Sequence, residues 1–393
     1  MEPTPRALRP DEWDSLNRLV STVFRPTMFE HYPQLFNEAN RENLRVIVVD
    51  GAVVSHVGMT QRWASLAGCT VRVACIGAVA TYEAYRGRGY ATAAFADARR
   101  KARADGVDIM LVSGSRGLYL RAGCRRVGRD IEYTITHEHH QALTTLAPTP
   151  TLELSPAGPE HIAILHALHA TEPVRFIRPL EDWEMAFQCR IVMNRPADFF
   201  LVTHAAQDQA GAVAYLIVQR PEPERSPAGQ PPGPLTARVV EFAGDRRAIA
   251  AALPLVHRHY QVPQVRLHVM GSDMVLQAHL AAAGLTGVPA PSSGTLLVIN
   301  FPQLMERVRP LLAERLGQHV VGELEFIEEP GGRYMIRRHG EALALPDAGH
   351  LGNFLFGTVD PRAECVPEGS PALLTLLQRA LPLPALWYGV NYV

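Results

Sequence analysis

The stretch Val79-Ala80-Thr81-Tyr82-Glu83-Ala84-Tyr85-Arg86-Gly87-Arg88-Gly89-Tyr90-Ala91 decides how this chain reads. An apolar run ends at Thr81, two glycines alternate with two arginines, and Ala91, Ala94, Phe95, Ala98 and Ala102 then recur at the spacing of one helix face. The order is strand, glycine-rich turn, helix. Gly87 and Gly89 let successive backbone N–H groups converge with no Cβ in the way, and a helix beginning near Tyr90 adds the positive end of its dipole. Arg86 and Arg88 supply charge-assisted hydrogen bonds to the same place. The combination is a cradle for a pyrophosphate. Taken alone, Arg-Gly-Arg-Gly also fits an RNA-binding tract, but such tracts are repeated and disordered, and this one occurs once between patterned segments.

The rest of the composition agrees that any anion must be caught locally. With 38 Lys plus Arg against 39 Asp plus Glu, the formal charge is -1, so no global field draws nucleic acid or an anionic membrane. The single lysine, Lys101, sits in the charged run Arg99-Arg100-Lys101. That excludes a Walker A loop and leaves a Schiff-base enzyme only a solvated lysine to work with. Cys69, Cys75, Cys124, Cys189 and Cys365 form no C-x-x-C pair and read as reduced thiols. His137-Glu138-His139-His140 lacks metal-site spacing and no G-x-S-x-G elbow occurs, so neither a metal centre nor a serine hydrolase is expected. The start, Met1-Glu2-Pro3-Thr4-Pro5, has no leader pattern, and no apolar run approaches about 18 residues. A cytoplasmic protein with no nucleic-acid or membrane partner is the expectation.

Working outward, Leu44 to Val49 and Val53 to Met59 flank Asp50-Gly51, a hairpin signal, and Cys75 to Thr81 and Ile109 to Val112 read as further strands. A Pro-containing linker after Leu143 precedes a second patterned segment that opens as the first does, with a strand, a Pro and an acidic helix start. In it Phe199 to Thr203 and Ala212 to Val218 pair as a hairpin, Pro221 to Pro234 forms a loop, and Ala237 to Phe242 is a strand. The third segment is read as a helix from Pro302 to Leu316, strands Val320 to Ile327 and Tyr334 to Arg338, and an apolar stretch His350 to Phe356. Domains over 1–145, 150–300 and 301–393 are predicted, all α+β.

Arg86-x-x-Gly89-x-Ala91 resembles the acetyl-CoA signature Q/R-x-x-G-x-G/A of the GCN5-related N-acetyltransferase (GNAT) superfamily. Gly117-Leu118-Tyr119-Leu120-Arg121-Ala122-Gly123-Cys124, after the strand Ile109 to Ser113, is similar to that family's Φ-Y-x-x-x-G-F motif. Glu83 stands where the family commonly has proline, and Cys124 where Phe or Tyr is usual. The whole chain resembles the enhanced intracellular survival (Eis)-type acetyltransferases. These join a GNAT domain, a degenerate second GNAT-like domain and a sterol-carrier-like domain, each GNAT fold a mixed central sheet flanked by helices. Val240 to Ile249 lacks the signature spacing, so the resemblance implies one acetyl-CoA site per chain.

What the resemblance implies for residues is specific. Val79, Ala80 and Thr81 would line the pantetheine arm, and Arg86, Gly87, Arg88, Gly89, Tyr90 and Ala91 the pyrophosphate of acetyl-CoA, the co-substrate. Tyr119 stands at the family's general-acid position, and the apolar tail Leu386 to Val393 is expected to carry its terminal carboxylate into the site, as base or as anchor for the amine. An alkylammonium of pKa about 10 must lose a proton before it attacks a thioester, and a neutral phenol can protonate the departing thiolate. A backbone N–H near Val79 would hold the oxyanion. Phe24, His31, Tyr32, Phe36 and Glu38 lie where the family binds acceptors. The expected activity is an N-acetyltransferase (acyltransferase) acting on a small-molecule or peptide primary amine, in a homo-oligomer. A non-enzymatic acyl-CoA or lipid-binding sensor is the alternative, and thiol release on adding an amine would separate the two.

Overall fold

The computed structural model describes residues 3–147, 151–205, 211–226, 229–363 and 366–393. Residues 148–150 of the expected linker, 227–228 of the expected loop, and Cys365 lie outside them. The chain forms two compact units, one of Met1–Val127, Ser292–Leu386 and Tyr392–Val393, the other of Gly128–Pro291 and Trp387–Asn391.

The first unit is built on β1 (Arg6–Ala7), α1 (Trp13–Val23), α2 (Met28–His31), β2 (Leu44–Val49), β3 (Ala52–Leu66), β4 (Cys69–Thr81), α3 (Tyr90–Ala104), β5 (Ile109–Val112) and α4 (Gly117–Arg121). Its strands lie side by side in the order β1-β2-β3-β4-β5, and the strand Thr295–Val298 follows at the β5 edge. Between these neighbours the pairing is antiparallel except for β4 with β5, which is parallel. Asp50 and Gly51 both take positive φ, 48° and 77°, as a two-residue hairpin turn requires. Helix α3 buries Ala94, Phe95, Ala98 and Ala102, the stripe visible in the sequence. They pack on Ile47, Val54, Val57, Ile76 and Met110 of the sheet. The alanines let the helix axis approach closely, and Phe95, 1% exposed, supplies about 1.5–3 kcal/mol of burial.

The third segment belongs to this unit. The single helix expected over Pro302 to Leu316 is two, Phe301–Arg307 and Arg309–Leu316, because Pro310 has no N–H to continue the first. The expected strand Val320 to Ile327 is corrected as well: Gln318–Gly322 is helical, and the strand runs Glu325–Glu329. Gly317, at φ 93°, and Gly322 fence off that short helix despite its two valines. The strands Glu325–Glu329, Arg333–Arg338, Glu341–Leu345 and Glu368–Gly369 form a small antiparallel sheet. Arg103 of α3 grips Glu328 with both terminal nitrogens, at 2.9 and 3.0 Å. The fully buried Asp108 accepts from Gln303 (2.7 Å) and Arg307 (3.1 Å).

The second unit has the strand order Val288–Ala290, Asp130–Ile135, Gln264–Val269, Leu235–Gly244, Ala214–Pro223, Arg195–His204, Leu152–Pro156. Leu235–Gly244, the helix Arg246–Tyr260 and the parallel strand Gln264–Val269 repeat the β4-α3-β5 arrangement. The expected first cut near residue 145 falls inside this unit. Asp130–Ile135 pairs with Gln264–Val269, while the equivalent place beside β5 is taken by Thr295–Val298. The chain leaves the first unit at Val127 and returns at Ser292, whose N–H donates to the Val127 carbonyl at 2.8 Å.

Tail residues Trp387–Asn391 are held in the second unit by a buried ion pair. Arg178 donates to both oxygens of Glu241 (2.9 and 3.0 Å) and to Asn391 Oδ1 (3.1 and 2.9 Å). Glu241 also accepts from Tyr215 (2.8 Å) and from the backbone of Val390 (2.8 Å). Burial would raise the Glu241 carboxyl, but Arg178 and the Val390 N–H hold it down to about 2. Among the described residues no helix is long and apolar enough to cross a membrane.

Candidate active site

Strand β4 and helix α3 are joined by the glycine-rich turn. Gly87 and Gly89 have φ of 77° and 78°, conformations that cost any residue with a Cβ, and a Cβ built on either meets nothing within 4 Å. The backbone therefore faces open space. Gly89 caps α3 without a side-chain hydrogen bond, leaving the first-turn N–H groups to a ligand. Arg86 is exposed, and Arg88 folds over the Tyr85 ring at 5.1 Å while donating to the Ala84 carbonyl at 3.2 Å. The matching helix of the second unit differs. There Asp245 accepts from the Ala248 N–H at 2.6 Å, so a fixed carboxylate stands where a phosphate would bind. The first turn leaves room and free N–H groups for an anion, and the second fills that place with its own carboxylate.

Beside the turn, the sheet splays. Parallel pairing of β4 with β5 runs from Val73 and Ile109 to Ile76 and Val112, and Ser113 closes it with its N–H and hydroxyl on the Ile76 carbonyl (3.2 and 3.1 Å). From Gly77 to Thr81, β4 pairs with β3 alone among the described residues, through an irregularity opposite His56 and Gly58. Ala78 takes φ 48°, and its carbonyl accepts from His56 Nδ1 at 2.9 Å. Val79 and Thr81 are half-buried and Ala80 is buried. The strand thus offers unpaired backbone groups along a slot leading from the glycine-rich turn.

The tail ends in this slot. Val393 is 4% exposed, and a Cβ on Gly77 would overlap its carboxyl carbon and oxygen. Gln34 Nε2 donates to the Tyr392 carbonyl (3.0 Å), and the Tyr392 hydroxyl donates to the Ser113 carbonyl (3.4 Å). Tyr119, on the inner face of α4, packs edge-on to Phe95 at 5.4 Å and touches Gly114. Burial pushes its phenol up to about 12, with Arg116 opposing, so it is protonated at neutral pH. His56 is fully buried and pushed down to about 4 by desolvation, against its bond to Ala78. It is a neutral imidazole whose Nε2 has no partner.

The five residues expected on the acceptor side divide. Tyr32 and Phe36 are buried, and Phe36 stacks on Phe29 at 4.3 Å and leans on His56 at 6.0 Å. His31 Nδ1 accepts from Arg25 Nε at 3.1 Å, and burial and then the Arg25 charge lower its imidazole. Phe24 is 41% exposed at the end of α1. Glu38 points to the surface, where it accepts from Trp13 (3.0 Å) and Arg41 (2.6 Å), so its carboxylate is engaged outside the slot. His140 lies 4.9 Å from His137 and 4.5 Å from His257, ring to ring, yet no described group of three or more ligating side chains could hold a metal ion.

Residues 4–127 match the family model described as an acetyltransferase (GNAT) domain. The chain carries a GNAT acetyltransferase domain. No curated protein sequence matches the chain, but solved structures share its fold from end to end. A probable N-acyltransferase of Enterococcus faecalis V583 superposes with a TM-score of 0.69 at 16% identity, covering 100% of both chains. A GCN5-related N-acetyltransferase from Anabaena variabilis gives 0.64 at 16% identity over 98% of each. Eis1 from Mycobacterium abscessus gives 0.63 at 14% identity, over 99% of this chain and 100% of its own. Beyond residues 4–127, the likeness to these structures extends along the whole chain as a likeness of fold.

Several residues around the slot carry no signal in the sequence. Gly58 and Gly77 face each other across β3 and β4, and paired strand glycines mark a close approach of another backbone. That sign was available in the sequence. His56, Gln34 and Tyr392 give none, because each bonds to a residue far away in the chain.

Proposed function

We propose that the protein transfers the acetyl group of acetyl-CoA to a primary amine by direct attack. The observation that carries this reading is the buried Val393 carboxyl group seated on Gly77, at the mouth of the slot that opens from the glycine-rich turn. Gly87 to Ala91 would hold the pyrophosphate through backbone N–H groups, with Arg86 and Arg88 adding charge. Val79, Ala80 and Thr81 would pair with the pantetheine amides as a strand would.

The carboxylate attracts the acceptor's ammonium and, directly or through water, accepts its proton. The amine nitrogen forms a C–N bond to the acetyl carbon as the C–S bond breaks. Tyr119, neutral beforehand, returns a proton to the leaving thiolate. His56 stays uncharged and shapes the slot wall by fixing the Ala78 carbonyl.

The test is thiol release from acetyl-CoA across a panel of amines, with the intact chain, Tyr119→Phe, and a chain extended by a few residues after Val393. Amine-dependent turnover that collapses in both variants while CoA still binds is the expected result. Unchanged turnover in the extended chain removes Val393 from the mechanism.

A further inference from the structure

The second unit caps its helix with its own Asp245, yet its sheet opens as the first one does. In the first unit the parallel pairing ends at Ile76 and Val112, and Gly77 and Ala78 follow on the open side. In the second it ends at Val239 and Leu267, so Val240 and Glu241 stand where Gly77 and Ala78 do. The chain's own tail enters that opening. Trp387 donates from Nε1 to the Val240 carbonyl at 2.6 Å and stacks on His268 of the facing strand, ring centres 3.5 Å apart. The Val390 N–H donates to Glu241 at 2.8 Å. Between them Gly389 takes φ 51°, and a Cβ there would overlap the Glu241 carboxylate.

The last link is Asn391, whose Oδ1 accepts from both Nε and Nη2 of Arg178, the guanidinium that also grips Glu241. The Arg178 side chain is 1% exposed and lies over the Trp183 ring at 4.2 Å, so its planar fork is held in one orientation. A buried ion pair adds little net stability against its desolvation, and its best use is to specify one arrangement. A chain end frays unless it is tied down. Here Trp387 to Asn391 are tied, and beyond them come only Tyr392 and Val393, which belong to the first unit.

We propose that the opening of the second sheet is a dock for the tail, and that Arg178, Glu241 and Asn391 are positioning residues for the Val393 carboxylate. This rests on the transferase reading above, in which that carboxylate meets the acceptor's ammonium. The second unit then serves the reaction without holding a substrate. Two peptide bonds pass the position of Asn391 on to the terminus, so the carboxylate is ordered before any amine arrives.

The experiment follows the chain end directly. Carboxypeptidase is added to the native protein and release of Val393 is timed, beside kcat, KM for acetyl-CoA and the urea unfolding midpoint. The variants are Asn391→Ala, which leaves the ion pair in place, and Arg178→Met combined with Glu241→Leu, which replaces it with apolar side chains. The expected result is release at least tenfold faster and kcat at least tenfold lower, with KM for acetyl-CoA within twofold and no matching fall in the urea midpoint. Unchanged release overturns this inference alone, as does release that rises only in step with a falling midpoint. Faster release with unchanged kcat removes the carboxylate from the mechanism and overturns the positioning role with it. No turnover by the unmodified protein on any amine overturns the transferase reading and the role given to the anchor.

Discussion

Gly77 lies directly against the carboxyl group of Val393, so closely that no side chain fits between them. Strand glycine and terminal carboxylate are thus one device, and Gly77→Ala should push the terminus out of the slot. We expect kcat to fall at least tenfold while the CoA dissociation constant stays within twofold, because the glycine-rich turn is untouched. Steady-state kinetics with equilibrium CoA binding checks this, and unchanged kcat would show the terminus to be dispensable.

Replacing Tyr119 with Phe removes a proton donor and little packing. A loss in kcat of about 10²-fold or more is expected, in the range of general acid catalysis. Since burial raises the phenol to about 12, the wild-type rate should show no alkaline loss from this group until well above pH 10. A pH–rate profile that falls with a midpoint near 10 would contradict that environment.

Gly89 and Asp245 cap corresponding helices, one open and one self-capped. Gly89→Asp should convert the first turn into the second and raise KM for acetyl-CoA more than tenfold. Gly89→Asn imposes the same left-handed strain without the charge. Comparable KM values for the two variants would assign the effect to backbone strain.

Buried neutral histidines make the fold acid-sensitive. His56 falls from 6.5 to about 4 and His169 from 6.5 to about 3. Below pH 6.5 the unfolded chain takes up protons that the folded chain refuses, so stability drops as pH falls toward 4, by about 1.4 kcal/mol per pH unit for each group. Thermal midpoints measured from pH 7 to pH 4 should fall, and His56→Gln should flatten part of the slope.

The Arg178–Glu241 pair offers a separate stability test. Arg178→Met strands a carboxylate and should cost about 3–5 kcal/mol in urea unfolding, whereas Arg178→Met with Glu241→Leu should recover a good part of it. A double variant no better than the single one would argue that the hydrogen bonds to Val390 and Asn391 matter more than the charge pairing.

Much of this architecture was legible in the sequence because it depends on neighbours in the chain. Leu44–Val49 and Ile109–Val112 are strands at the limits their apolar runs suggest, and the alanine stripe of α3 and the Asp50-Gly51 turn follow from period and turn chemistry. Tyr119 is buried on α4, a position that the sequence does not fix. Val320 and Val321 misled because β-branched residues between two glycines suit a strand locally, and here they lie inside a helical turn. Which sheet receives Asp130–Ile135 is a choice between two similar edges, decided by packing far from the segment itself.

The exchange of strands has a bearing on how the chain comes to be folded. When β5 leaves the ribosome, its outer edge has no partner, and the strand that covers it, Thr295–Val298, emerges only after the entire second unit. Through that interval the nascent first sheet presents a bare, fully apolar edge, Ile109 to Val112, of the kind that recruits foreign strands. The exposure ends when the chain returns at Ser292, whose N–H meets the Val127 carbonyl, and brings Thr295–Val298 to that edge. A lesion in the intervening unit would surface as aggregation of a sheet whose closing strand lies beyond it in the chain.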